Sequence, residues 1–260
     1  FAQDIGERMQ AAMPDGAVCT NPFGVLYNPE SIRTALEILI YGSLFFPDEY
    51  IFHGQDGLWH SWLHSGTFSA ADREDCVRAV VKSYEDAVAQ LRTADLLCVT
   101  FGTNHVYEHR ERSFVVGNCH KEPTSAFVER KLGEDEIFCA WDVLLNELEK
   151  EFPGQKVVFT VSPFRYAKYG FHESQLAKAT LLLATERLCA AHANACYFPA
   201  YEIVLDELRD YRFFDTDMLH PSTQAADYVW KRFSAWCFSR EMEEYAAERA
   251  SLLKAEAHIP

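Results

Sequence analysis

The chain has 260 residues, 48% hydrophobic and 24% charged, the balance of a globular protein able to bury a full core without disulfides or a structural metal. A formal net charge of -15 argues against a nucleic-acid partner, because holding phosphates takes clustered Lys and Arg that displace counterions. No stretch is apolar enough to insert in a membrane and no signal peptide is visible, so a cytoplasmic protein is expected.

In chain order, residues 16–20 are a weak strand candidate. Asn28 is a fitting N-cap for a helix over 29–40, with Pro29 at the first helical position. Residues 47–70 are rich in Gly, His and aromatic side chains and read as an irregular insertion, of the kind that covers a pocket. Over 72–92, Val77, Val80, Val81, Tyr84, Val88 and Leu91 recur at three-and-four spacing on one helical face. Residues 95–102 (DLLCVTFG) and 155–163 (QKVVFTVSP) are nearly continuous apolar runs, the pattern of strands buried on both faces of a parallel sheet. Between them, 134–152 is a helix on Ile137, Trp141, Leu144, Leu145 and Leu148, stopped at Pro153-Gly154. Residues 172–193 form another helix and 195–198 a weaker strand. A last long helix starts near Pro221 and runs, with a break, into an Ala/Glu-rich tail. Strand alternating with helix predicts an α/β fold, its parallel sheet covered on both faces, in a single domain over 1–260. The eight cysteines include no C-x-x-C pair and are expected as buried, reduced thiols.

Four groups of residues could carry chemistry. Asp217-Met218-Leu219-His220 precedes the last helix, and an Asp three residues before a His on one loop can orient the imidazole and stabilise its charged form. Gly102-Thr103-Asn104 follows the best strand, at the sheet end where α/β folds bind ligands. An Asn there can aim its amide at a developing oxyanion. Cys119 and His120 suggest a thiol nucleophile, but neighbours on an extended segment point to opposite faces. His60/His64 and His105/His109 have the i, i+4 spacing of metal ligands on a helix, without a persuasive third ligand. Ser162 ends a strong strand, yet Pro163 follows it and has no N–H to serve an oxyanion, so a turn is its expected role.

These motifs add up to a resemblance. The N-terminal FAQDIGERM looks like the continuation of the G-S-C-F-A signature of the GSCFA domain. FGTNHVYE, VGNCHKEPTSAF, VVFTVSPFRYAKYGFHESQLAKATLLLA, YFPAYEIVLDELRDYRF and DMLHPS resemble that domain in the same order. GSCFA domains are similar to SGNH hydrolases, or GDSL-like esterases, which implies a flavodoxin-like three-layer α/β/α sandwich with a parallel sheet of about five strands. By that likeness Asp217 and His220 match the acid and base of a catalytic triad, and Asn104 matches an oxyanion donor. His105 stands where the family block has Asp. Gly24, in the loop after the expected second strand, matches the glycine whose backbone N–H also faces the oxyanion. Asn118, His120 and His172 are matched as well, and with Gly102 and Thr103 are expected to contact substrate or fix the loops around it.

The family's nucleophilic serine falls two residues before the position of Phe1, and the strand before it is absent too. The natural protein is therefore expected to extend further N-terminally. The implied activity is hydrolysis of a small-molecule or carbohydrate ester, with an acyl group such as acetyl, needing no cofactor and no metal. The alternatives are a non-catalytic binding module on the same scaffold and a metal-dependent hydrolase using His105, His109, His120 or His220.

Overall fold

The computed structural model describes residues 1–42 and 47–256, the side chains of 254–256 excepted. Its elements in chain order begin with α1 (Ala2–Ala12), α2 (Pro29–Tyr41), β1 (Ile51–His53), β2 (Trp59–Ser61), α3 (Arg73–Leu91) and β3 (Leu96–Phe101). There follow β4 (His105–His109), β5 (Phe127–Lys131), α4 (Glu134–Glu151), β6 (Lys156–Val161), α5 (Phe171–Ala191) and β7 (Ala195–Tyr197). The chain ends with α6 (Ala200–Glu202), a π-helical turn over Ile203–Leu208, α7 (Thr223–Cys237) and α8 (Arg240–Glu256). These elements divide into two compact units.

The larger unit, Asn21–Val161 with Tyr166–Tyr197, is α/β. Its parallel sheet has the order β3-β6-β7, with Leu96 opposite Lys156, Phe101 opposite Val161 and Val157 opposite Ala195. Three strands stand where the resemblance implies about five. The central β6 is buried along Val157, Val158 and Phe159, as its apolar run predicts. By contrast β3, at the edge, buries only Val99 and Phe101, so an unbroken apolar run overstated its burial. Helices α4 and α5 pack on each other, α2 on α4 and α3, and α5 on β6 and β7. Trp141 fills the core. Its ring meets Phe101 and Phe159 edge-on at 5.0 and 5.3 Å, and its indole N–H donates to Pro29 O at 3.1 Å, so no polar atom is left bare. Asn28 caps α2 as its sequence predicts, its Oδ1 accepting from Ser31 N at 2.8 Å.

Two antiparallel ladders complete this unit. The 47–70 segment, expected to be irregular, forms the β1–β2 hairpin, with Phe52 opposite His60. Its turn is closed by Gly54 N donating to Leu58 O at 2.8 Å, with Gly57 at φ +81. Trp62 stacks flat on Phe52 at 3.5 Å between ring centres, and Trp62, Leu63 and His64 are buried. The segment is therefore part of the core. The second ladder, β4–β5, pairs His105 with Lys131 through His109 with Phe127.

The smaller unit comprises Phe1–Thr20, Ser162–Arg165 and the chain from Phe198. The strand expected over 16–20 is not formed: Gly16 has φ +78 and Ala17 N closes a turn onto Pro14 O at 3.0 Å. The long C-terminal helix is two helices, α7 and α8, and α8 packs on α1. Ser222 caps α7 through Ala225 N, and Ala225, Ala226, Val229 and Phe233 form its buried stripe. Phe233 meets Phe198 edge-on at 5.1 Å.

No cysteine among the described residues is disulfide-bonded, but the expectation of burial holds only for Cys76. Cys19, Cys98 and Cys139 are exposed, Cys98 and Cys139 because β3 and α4 are buried on one side only and these thiols fall on the outer face.

Candidate active site

In the smaller unit, the loop before α7 builds an aspartate–histidine pair. Asp217 Oδ2 meets His220 Nδ1 at 2.5 Å. Asp217 Oδ1 accepts the backbone N–H groups of Leu219 and His220 at 2.8 and 2.9 Å. The turn requires Met218 to adopt φ +60, a left-handed conformation that costs a non-glycine residue about 1–2 kcal/mol. Flanking bonds hold it: Met218 N donates to Asp215 O, Asp215 N to His220 O, and Arg165 N to Leu219 O. The His220 hydrogen bond, followed by the two backbone donors, lowers the Asp217 carboxyl to about 2, so it stays ionised. The His220 side chain is 55% exposed and its ring packs against Phe164 at 4.4 Å. With Nδ1 on the carboxylate, Nε2 is left to face a reacting group. This is the orienting bond that a general base needs.

The larger unit holds the other matched residues. Gly102 and Thr103 turn over the Tyr27 carbonyl, which accepts both of their amides at 2.8 and 3.0 Å. A Cβ on Gly102 would lie 2.9 Å from that oxygen, so only glycine fits. Asn104 is buried. Its Nδ2 donates to Leu132 O at 2.9 Å, and its backbone O accepts from Leu132 N at 2.8 Å. The side chain thus pins the start of the β4–β5 ladder and keeps one amide hydrogen uncommitted, while Oδ1 has no partner. Gly24 has φ +73, and a Cβ there would fall 2.4 Å from Ser65 Cβ. Its N–H donates to Asn21 O at 2.7 Å, so in this conformation it closes a turn.

Residues 1–233 match the GSCFA family. The chain belongs to that family. No curated relative and no solved structure matches it.

His120, His60, His64 and His105 of this GSCFA chain have structural partners. Asn118 Oδ1 accepts from His120 N at 2.7 Å, and His120 Nε2 donates to Ser61 O at 2.9 Å. His120 has φ +48, so the Cys119-His120 segment is not extended, yet the two side chains still serve separate ends. Burial pushes the Cys119 thiol up to about 11, the reverse of what a thiolate nucleophile needs. His60 lies on β2 between Ser69 Oγ and Asp56 Oδ1, at 2.6 and 2.9 Å. His64 is fully buried, stacked on Phe23 at 4.5 Å, with Nδ1 on Ser61 Oγ at 2.7 Å. Its Nε2 has no partner, and burial lowers its pKa to about 3.

His105 and His109 end strand β4, where four residues span about 13 Å, too far for one metal ion. No group of three or more His, Cys, Asp or Glu among the described residues is placed to hold a metal. His105 Nδ1 lies 3.2 Å from Glu129, and its ring stacks on Tyr169 at 4.3 Å. His172 is exposed in the first turn of α5. Ser162 makes the expected turn, its Oγ accepting from Phe164 N at 3.3 Å. A cavity of about 360 Å³ between α2, Tyr50, Leu63 and Arg130 contains none of the matched residues. Its charges already neutralise each other, Arg33 with Glu30 and Glu37, Arg130 with Glu108.

Two features had no place in the sequence reading. One is the Ser61–His64 pair, hidden in a segment taken for a loop. The other is Lys178, which is buried with Nζ on Gly102 O at 2.5 Å. Its signal was present: Ser174, Ala177, Lys178, Leu181, Ala184, Thr185 and Leu188 are the buried stripe of α5, and a lysine in such a stripe is out of place.

Proposed function

We propose that this GSCFA chain is the hydrolase scaffold of an SGNH-type esterase, acting on a small-molecule or carbohydrate ester by two-step acyl transfer. The observation that carries the reading is the Asp217–His220 pair: an ionised carboxylate fixes one ring nitrogen at 2.5 Å and leaves the other free on an exposed imidazole. In the proposed reaction His220 Nε2 takes the proton of a serine hydroxyl as it attacks the ester carbonyl. It then returns that proton to the leaving alcohol, and Asp217 stabilises the imidazolium in between. Water repeats the sequence to release the acid. The family likeness assigns the serine to the G-S-C-F-A block, of which this sequence carries Phe1 and Ala2, and assigns the oxyanion to Asn104 and the loop at Gly24. The free hydrogen of Asn104 Nδ2 suits that role.

A second reading, a binding module without catalysis, is favoured by one observation: the Gly24 amide is already given to Asn21 O. A protein bearing the family's strand and Gly-Ser-Cys ahead of Phe1 separates the two. The hydrolase reading expects turnover of an aryl acetate and stoichiometric labelling of that serine by a fluorophosphonate. Neither label nor turnover in a folded protein would transfer the assignment to the binding module.

A further inference from the structure

Lys178 is a buried titratable group that the proposed chemistry leaves without a role. It sits in the apolar stripe of α5, 2% exposed, where an ammonium loses several kcal/mol of hydration. Such a charge is tolerated only where it meets an acceptor worth that cost. One such acceptor is the Gly102 carbonyl, at the carboxyl end of β3 and two residues before Asn104.

The peptide that Lys178 grips is itself a relay. Its carbonyl, Gly102 O, receives the ammonium, while its N–H, that of Thr103, donates to Tyr27 O together with the Gly102 amide. Hydrogen bonds in series polarise one another, so a charge on the carbonyl strengthens the amide's bond to Tyr27. Tyr27 immediately precedes the Asn28 cap of α2 and ends the loop that carries Gly24. One lysine therefore ties α5, the Gly102–Asn104 turn and the 24–28 loop together within one compact unit. We propose that Lys178 is a positioning residue, whose ammonium holds the Gly102–Asn104 turn on the Tyr27 carbonyl and so fixes where Asn104 presents its amide.

Glu134 and Asp135 of α4 pair with Arg187, Asp142 with His192, and Glu173 with Lys131. Burial lowers the Lys178 pKa to about 7, so its charge is present below that pH and lost above it. A structural lysine whose stem only fills space would give no such transition.

The inference rests on the hydrolase reading for its consequence in catalysis, and the test keeps the two apart. Phe-Gly occurs twice in the chain, at Phe23-Gly24 and Phe101-Gly102. Labelling the full chain with carbonyl-13C phenylalanine and 15N glycine therefore selects the amides of the two loops in question. The Gly102 cross-peak is expected to titrate with a midpoint near pH 7, and to lose that transition in Lys178→Met or, should that variant fold poorly, in Lys178→Gln. A Gly102 peak that does not titrate, or that titrates alike in wild type and variant, overturns the proposal whether or not the protein hydrolyses esters. In active protein, kcat for an aryl acetate is expected to fall about tenfold in Lys178→Met and to lose a descending limb near pH 7. An unchanged kcat and pH profile would leave the lysine no part in positioning.

Discussion

The histidine before α7 and the histidines around β2 are the same side chain put to opposite uses. His220 stands on an exposed loop, held by a carboxylate through one nitrogen and open at the other. His60, His64 and His120 are buried, each tied by at least one nitrogen to a serine, a carboxylate or a backbone carbonyl of the same segment. The first leaves a ring nitrogen outside the packing. The others form part of the packing, and burial holds both His64 and His120 below the usual histidine range. The i, i+4 spacing that made His60 and His64 candidate ligands is thus a spacing of core residues. Under the proposed hydrolase reading, what sets His220 apart is an ionised orienting partner combined with exposure.

That contrast can be sharpened by substitution. Asp217→Asn is expected to have the largest effect, a loss of about a thousandfold in ester hydrolysis, since the amide cannot stabilise the imidazolium and favours the wrong tautomer. The melting temperature should move less than for a core substitution, the pair being exposed and the amide oxygen still able to accept from Leu219 and His220. His64→Ala should do the reverse. Removing a fully buried ring stacked on Phe23 should cost about 3 kcal/mol of stability in urea unfolding, with kcat per folded molecule unchanged.

Acid should separate the two regions as well. The folded-state pKa of His64, about 3, lies below its ordinary value of 6.5, so protons favour the unfolded chain. Its stabilising contribution is complete above pH 6.5 and is lost as pH falls toward 3, at up to about 1.4 kcal/mol per unit. Asp217, lowered to about 2, keeps its contribution above 3.8 and loses it only between 3.8 and 2. Urea midpoints at about pH 7.5 and pH 5 should therefore differ by roughly 2 kcal/mol in wild type, and by clearly less in His64→Phe. An equal pH dependence in both would remove His64 as its source.

Much of this was legible in the sequence, and the particular residues show why. Helices α3 and α4 form where their apolar spacing, a local signal, places them, and α2 begins on its expected cap. The Asp217–His220 pair could be read because four consecutive residues on one loop suffice to build it. The β4–β5 ladder could not, since its strands mix apolar with charged residues and 17 residues separate them, leaving no tight-turn signal. In 47–70 the signal existed: Asp56-Gly57 is a hairpin dipeptide, outweighed by the surrounding Gly and His content. At Gly24 the family likeness singles out a glycine, and the structure gives it a positive φ and a close approach to Ser65. Gly24→Ala should accordingly cost about 2 kcal/mol, from the left-handed backbone and the displaced serine. Asn28→Ala, which removes one cap bond, should cost about 1 kcal/mol by the same urea measurement.

The most direct test of the exposed pair as general base sets one histidine of each kind side by side. Aryl acetate hydrolysis would be followed in folded, N-terminally extended protein carrying His220→Ala or His120→Ala. A loss of at least about a hundredfold in the first, with the second keeping wild-type kcat at a lower melting temperature, is the predicted result. Activity retained in His220→Ala and abolished in folded His120→Ala would contradict the account and move the chemistry to the buried histidines.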